Sequence, residues 1–466
     1  MTVESRMAVA PVRDIAAIGC GPFNLGLAAL ASTVKGLDLV AFDECRELSW
    51  HSGLMFADAR LQLSFIADLV SLVDPTHPLS FLAYLRDVDR LYHFYVRETF
   101  HPTRREYEAY LRWVLAKLPS VRLSHRVEAV SWDERQRCFA VQGVRSDGSE
   151  LRVWAKNLVL GLGTEPAVPA CVERLPHDRL IHSAHYLFRA AELPRAGHVT
   201  VLGSGQSGAE IMLDLLRTQV AGGPELSWFT RTRSFAPLDY TKLVLEMTTP
   251  DYIRYFHGLP QAVKDRLVLE QWQHYKGISS ETLQALHEAL YERELQATLA
   301  PVELRCGAAL ESAQVACSGR VVLTIRDRDT NVSFTRETDV VVAATGYRER
   351  RPECLSPLGD RVLRDDRGRF RVRADYSLEL HPSIGGRIFV SNADLHSHGV
   401  AAPDLGTSAF RNATILNAIV GREVYRLPRR TAFTSFGPPT EHRTSASAPA
   451  ARSGASREAS EATEWP

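Results

Sequence analysis

The stretch Asp14-Ile15-Ala16-Ala17-Ile18-Gly19-Cys20-Gly21-Pro22-Phe23-Asn24-Leu25 decides the fold. Residues 14–18 read as a buried strand, Gly19 to Gly21 as a tight turn, and the run from Pro22 to about 34 as a helix. A further strand at 37–42 completes a βαβ start. Glycines let the backbone approach a pyrophosphate, and the helix behind them offers unpaired N–H groups and a positive dipole end. Gly19 and Gly21 hold two of the three fingerprint places and Asn24 takes the third. Asp43 ends the next strand, where an acid meets a ribose 2′-OH. An ordinary tight turn is the alternative; the strand before it, the helix after it and the acid in place argue against that.

The unit occurs twice. Gly203-Ser204-Gly205-Gln206-Ser207-Gly208 is a full G-x-G-x-x-G between a strand at 198–202 and a helix at 209–217. The following strand, 226–230, ends not in an acid but in Arg231, with Arg233 beyond it. An arginine there suits a 2′-phosphate, so NADP(H) is favoured over NAD(H), against the plainer reading of a solvated strand-end charge. Ala344-Thr345-Gly346-Tyr347 follows a third strand, at 339–343. In two-dinucleotide flavoproteins a turn at the place of Thr345 and Gly346 returns the chain from the nucleotide insert to the flavin domain. Two dinucleotide folds imply two nucleotides, FAD on the first and NADPH on the second.

The whole chain fits this frame. It has 466 residues, enough for two or three domains, with 45% apolar and 24% charged residues. Lys+Arg and Asp+Glu are both 55, so no basic field is available for nucleic acid or an anionic membrane. The apolar run 15–34 is broken by Gly19, Gly21, Pro22, Asn24 and Gly26, and does not read as a membrane span. The seven cysteines are odd in number and include no C-x-x-C, which speaks against a disulfide framework, a zinc site or a dithiol enzyme and for the cytoplasm. The expected domains are an FAD-binding part at 1–191, an NADPH-binding insert at 192–343 with a helical substrate region at about 240–300, and a second FAD-binding part at 344–430. Residues 431–466, rich in Ser, Ala, Pro, Thr and Arg, are expected to be a disordered tail.

Further motifs extend the pattern: Trp50-His51-Ser52-Gly53; Leu61-Gln62 followed by Ser64-Phe65-Ile66 and Asp68-Leu69; Asp74-Pro75-Thr76 before Phe81-Leu82-Ala83-Tyr84-Leu85; and His398-Gly399 with Arg411 downstream. With these the chain resembles the flavin-dependent N-hydroxylating monooxygenases of siderophore biosynthesis, which act on lysine, ornithine or diamines. The resemblance spans about 14 to 427. It implies that NADPH reduces FAD, that O₂ then gives a C4a-hydroperoxyflavin, and that a neutral primary amine takes its distal oxygen. It places Gln62, as a catalytic residue, with Trp50, His51 and Leu405 near the flavin, and Gln206, Ser207 and Arg231 on the nicotinamide dinucleotide. It also implies a homo-oligomer, dimer or tetramer. An alkylamine has a pKa of about 10.4, so the site must favour its neutral form by desolvation or a neighbouring cation.

Departures from the ornithine pattern bear on the amine. By resemblance, ornithine enzymes hold the substrate carboxylate with a lysine where this chain has Ala67. They hold the amino-acid head with two asparagines, which match Leu245 and Gly277 here. Lysine hydroxylases of the family share the glycine and keep the lysine. A carboxylate facing Ala67 goes unpaired, which is costly in a buried site. The expected substrate is therefore a diamine, putrescine or cadaverine, with L-lysine N6-hydroxylation, or ornithine N5-hydroxylation, as the alternative. The segment Ala402-Pro403-Asp404-Leu405-Gly406 also looks like that of diamine hydroxylases. Asp404 and Glu246 are candidates for holding the second ammonium, each with a surface acid or structural ion pair as its alternative.

His398 invites a general-base reading beside a structural or flavin-pocket one. His396 and His398, two apart, do not share a helix face, and no metal site is expected. The run His101, Arg104, Arg105, Arg112 reads as a solvated helix face, and Tyr84, Tyr92 and Tyr95 as core or interface residues. A Baeyer–Villiger or sulfur-oxidising enzyme would carry an F-x-G-x-x-x-H-x-x-x-W-type segment before the second turn, and 182–198 has none. A catalytically dead flavoprotein scaffold is a different class, and the intact glycines of both turns argue against it.

Overall fold

A computed structural model describes residues 11–296 and 298–438. The chain opens with β1 (Val12–Ile18), α1 (Pro22–Ala31) and β2 (Leu39–Phe42), the βαβ unit read from the sequence. β1 and β2 are parallel, with Ile15 opposite Leu39 and Ile18 opposite Phe42. The helix ends at Ala31 rather than 34, because the chain turns there to reach the next strand. Three helices follow, α2 (Phe81–Asp87), α3 (Leu91–Val96) and α4 (Arg104–Ala116). Ser80 and Thr103 cap α2 and α4 by accepting from Ala83 N–H and Glu106 N–H.

Strands β3 (Val121–Arg122), β4 (His125–Asp133), β5 (Cys138–Arg145) and β6 (Glu150–Leu160) complete most of a seven-stranded sheet ordered β3-β2-β1-β6-β5-β4. The seventh strand, Arg387–Val390, comes from the far end of the chain and pairs parallel with β6. The last helix, Ser408–Val420, packs beside α1, where Asn412 donates to the Phe23 carbonyl at 2.9 Å. The first domain is thus closed by residues on both sides of the insert.

The insert has its own sheet. Strands β7 (Leu180–His182), β8 (His198–Leu202), β9 (Glu225–Phe229), β10 (Val302–Arg305) and β11 (Val340–Ala343) are all parallel, in the order β10-β9-β8-β11-β7. Helix α5 (Gln206–Thr218) follows β8. β7 belongs to this sheet, so the insert begins before 180 and not at 192. The chain enters and leaves it through two antiparallel segments, Thr164–Pro166 and Tyr347–Glu349. α6 (Pro250–His257) and α7 (Ser280–Glu294) lie in the helical region.

Two turns show why glycine was needed. Gly19 has φ +80° and a Cβ there would overlap the Gly161 carbonyl; Gly203 has φ +123° and a Cβ would overlap the Ala344 carbonyl. Asn24, in the third fingerprint place, is fully buried and donates to the carbonyls of Gly19 (2.7 Å), Val159 (3.3 Å) and Ile18 (3.4 Å). It ties the turn to β6 from beneath rather than facing a ligand. Asn24→Ala removes that donor from three buried carbonyls. It is expected to cost about 2 kcal/mol and lower FAD content, read by thermal unfolding and by flavin absorbance of the purified protein.

The expectation of disorder from 431 onward fails at its start. Thr431 to Thr434 are hydrogen-bonded to Asp251 and Glu246, and Phe436 packs on Tyr252 and Tyr255. Carboxylates on the helical region supply the partners that the apolar-poor segment cannot supply itself. The rest of that expectation, 439–466, lies outside the described residues. Among the described residues no helix is long and apolar enough to cross a membrane, and none of the seven cysteines is in a disulfide.

Candidate active site

Two uncapped helix starts face one cleft. α1 begins on Gly21 and α5 on Gly205, and no side chain caps either. Their first-turn N–H groups are open to anions, as the phosphates of two dinucleotides require. A cleft of about 590 Å³ runs along both, from Gly21 and Pro22 to Gln206 and Ser207. Trp50 and His51 form one wall, and Asp404 and Leu405 another. A second cleft, of about 990 Å³, holds Ala67 and Leu245. Gln62, Gln206 and Tyr240 line both, so the two meet there.

The meeting point is a cross-domain network. Gln62 Nε2 donates to Gln206 Oε1 at 3.3 Å. Gln206 in turn donates to Glu210 Oε1 and Thr282 Oγ1, both at 2.9 Å, and accepts from Ser279 N–H at 2.8 Å. Arg104 of α4 grips the Glu210 carboxylate of α5 with two bonds of 2.6 and 2.9 Å. Their side chains are only 13% and 10% exposed. Arg104→Ala strands that carboxylate and is expected to cost about 2–3 kcal/mol, read as a lower Tm and a raised KM for NADPH.

His51 sits in the left-handed region, φ 54°, with its ring against Trp50 (4.8 Å) and Tyr347 (6.2 Å). Desolvation and the Arg104 charge push its pKa down to about 4, so it is neutral at neutral pH. Asp404 shows the opposite shift. Desolvation raises its carboxyl to about 6 against the opposing effects of the Gly406 N–H and Arg411. Its Oδ1 accepts from Gly406 N–H at 2.6 Å. A Cβ on Gly406 would lie 3.0 Å from Asp404 Oδ1 and 3.6 Å from Ala67 Cβ, so Asp404 and Ala67 flank one residue.

The family model for L-lysine 6-monooxygenase/L-ornithine 5-monooxygenase matches residues 11–349. The chain belongs to this family. It is 38% identical to a putrescine N-hydroxylase of Acinetobacter baumannii over 92% of this chain and 95% of that protein. It is 40% identical to the rhizobactin siderophore biosynthesis protein RhbE of Rhizobium meliloti, over 92% and 95%. The crystal structure of DfoA, the desferrioxamine pathway cadaverine monooxygenase of Erwinia amylovora, bound to FAD, matches with a TM-score of 0.89 at 40% identity, over 92% of this chain and all of that one.

Several residues singled out for this family's site stand elsewhere. His398 lines neither cleft; it is 1% exposed, stacked 4.2 Å from Tyr376, with Nδ1 2.9 Å from Ser397 Oγ. Burial, then His257 and Arg411, hold it well below its ordinary pKa, and a base walled off from the cleft cannot reach substrate. Glu246 also lines neither cleft, because its carboxylate is taken by the N–H groups of Phe433 and Thr434. Gly277 packs so tightly on Pro237 and Leu238 that a Cβ would overlap their backbone, so its glycine serves packing. Thr345 donates to the Ala167 carbonyl at 2.6 Å and the Gly346 carbonyl accepts from His182, so the pair fastens the domain crossing while Tyr347 beside it lines the cleft. Asp43 stands at the first turn but accepts from Cys20 N–H (2.7 Å) and Cys45 N–H (2.8 Å). Gly19, Gly203, Gly205 and Gly208 shape the turns beneath the cleft. Arg231 follows β9 on the exposed side, and Arg233 beyond it pairs with Asp329 at 2.9 Å.

Arg104, Glu210, Tyr240, His274 and Tyr347 are cleft residues that sequence reasoning missed. One signal existed for Arg104. It stands in the first turn of α4, where a cation opposes the helix dipole and needs a partner.

Proposed function

We propose that this chain N-hydroxylates one primary amine of an aliphatic diamine, putrescine or cadaverine, using NADPH and O₂, in a hydroxamate siderophore pathway. The observation that carries the reading is the pairing of Ala67 with Asp404 around Gly406: no cation stands at 67 to take a carboxylate, and an acid stands beside it to take an ammonium. FAD belongs along Gly21 and Pro22 and NADPH along Gln206 and Ser207, the two open helix starts. Arg231 would meet the 2′-phosphate. When bound, the flavin, reduced by NADPH, supplies the oxygen atom from O₂.

The residues of the chain do the rest. Leu63, Leu245 and Ala67 in the second cleft take the methylenes of the substrate, at about 0.8 kcal/mol each. Asp404 holds the ammonium that does not react. The other amine is directed to the junction at Gln62, where desolvation favours its neutral form. Gln62 and Gln206 orient the amine and the nicotinamide, and Trp50 and Tyr347 exclude water on the flavin side. L-Lysine is the second reading, because Lys242 also lines the second cleft and offers a carboxylate a partner.

The enzyme acts as a homo-oligomer in the cytoplasm on this reading. α3 buries none of its residues, and Tyr92 and Tyr95 are 81% and 74% exposed beside Val96 and Phe100, an apolar face suited to a second copy. Tyr84, by contrast, is core. The deciding experiment is hydroxylamine formed with NADPH and O₂ from putrescine, cadaverine, lysine and ornithine side by side. Preference for a diamine supports the proposal; preference for lysine transfers the chemistry to the second reading.

A further inference from the structure

The helical turn Val244–Thr248 presents two sides. Leu245 and Thr248 line the second cleft. Glu246, one residue on, points to the C-terminal segment: its Oε1 accepts from Phe433 N–H and its Oε2 from Thr434 N–H, both at 2.9 Å. The pattern repeats one turn along. Asp251 Oδ2 accepts from Thr431 N–H (2.6 Å) and Ala432 N–H (3.1 Å), while Asp251 N–H donates to Thr431 Oγ1 (3.1 Å). Arg254 donates to the Pro428 carbonyl, and the Phe436 ring lies 4.9 Å from Tyr252. The other side of α6 packs on the first domain: Phe256 closes on Gly399, and Ile253 on Ala401.

We infer that residues 428–436 form a strap that clamps the Val244–Thr248 turn and α6 against the first domain and so sets the Leu245 wall of the amine site. Glu246 is a positioning residue, acting through Leu245 and not on substrate. Two carboxylates each gather two backbone N–H groups, charge-assisted bonds that fix the segment together with the packing of Phe436. The choice of diamine as probe rests on the function proposed above; the strap itself does not.

The test uses the full chain with FAD bound. Glu246→Ala is expected to raise KM for putrescine about tenfold, because a small displacement of a positioning wall costs binding steeply. FAD content and amine-independent NADPH oxidation stay unchanged, and Glu246→Gln, which keeps an acceptor, recovers part of the loss. Without substrate, amide hydrogen exchange rises at 431–434 and at 245–249 together. Phe436→Ala gives the same pattern and carries the test if Glu246→Ala does not fold. Faster exchange at 431–434 with unchanged KM, or with unchanged exchange at 245–249, overturns the inference. If the unaltered enzyme leaves putrescine untouched, the diamine reading fails instead; the exchange comparison still judges the strap, and KM is measured with whichever amine is turned over.

Discussion

Ala67→Lys is expected to lower kcat/KM for putrescine and cadaverine by about 100-fold or more. Ala67 is 8% exposed, lines the second cleft and stands across Gly406 from Asp404. A lysine ammonium there reaches the Asp404 carboxylate and replaces the ammonium of the substrate. Like charges brought together in a desolvated site cost several kcal/mol, and each 1.4 kcal/mol is tenfold. NADPH-driven flavin reduction, which does not use this position, is expected to persist. Steady-state hydroxylamine assays with both diamines and with lysine check the result. If the variant gains lysine turnover as it loses diamine turnover, the position is a selector. Unchanged diamine kinetics would remove Ala67 from the site.

Asp404→Asn is the complementary change. It keeps the shape of the turn, since the side-chain oxygen can still accept from Gly406 N–H, but removes the charge. Loss of one partner from a desolvated charge pair costs about 2–5 kcal/mol, so KM for the diamine should rise by roughly 30-fold or more with a smaller change in kcat. The pH profile gives a second reading. Desolvation holds the Asp404 carboxyl at about 6 in the free enzyme. Its ionised form binds the ammonium, so kcat/KM is expected to be full above that value and to fall as pH drops through it. In Asp404→Asn this acid limb should disappear. A limb that survives the substitution belongs to another group, and His51, with a pKa near 4, would titrate lower.

The parts of this enzyme that obey local rules were legible in the chain. Ile15 to Ile18, the glycines behind them and the helix behind those form a strand, turn and uncapped helix start because each step is dictated by neighbours a few residues away. The second turn, Gly203 to Gly208, is legible for the same reason, and so are the two nucleotides. Ala67 and Leu245 were legible as departures from a family pattern, and both face the second cleft.

What failed depended on which way a side chain points after distant segments meet. Glu246 and Leu245 are adjacent, yet one meets the C-terminal segment and the other the cleft; nothing in Leu243-Val244-Leu245-Glu246 specifies that. His398 carries the residue type of a base, but Tyr376, His257 and Asp394, all distant or buried, enclose it. Arg104 looked like one cation in a solvated run until α5 brought Glu210 to within 2.6 Å, from 106 residues away. The glycine turns and the uncapped helix starts were determined by the sequence itself, because backbone sterics and helix ends are local. Which residues join Ala67 and Leu245 along the second cleft, and that Glu246 and His398 stand apart from it, was decided only by the tertiary structure, because burial and charge pairing are properties of segments that meet in space.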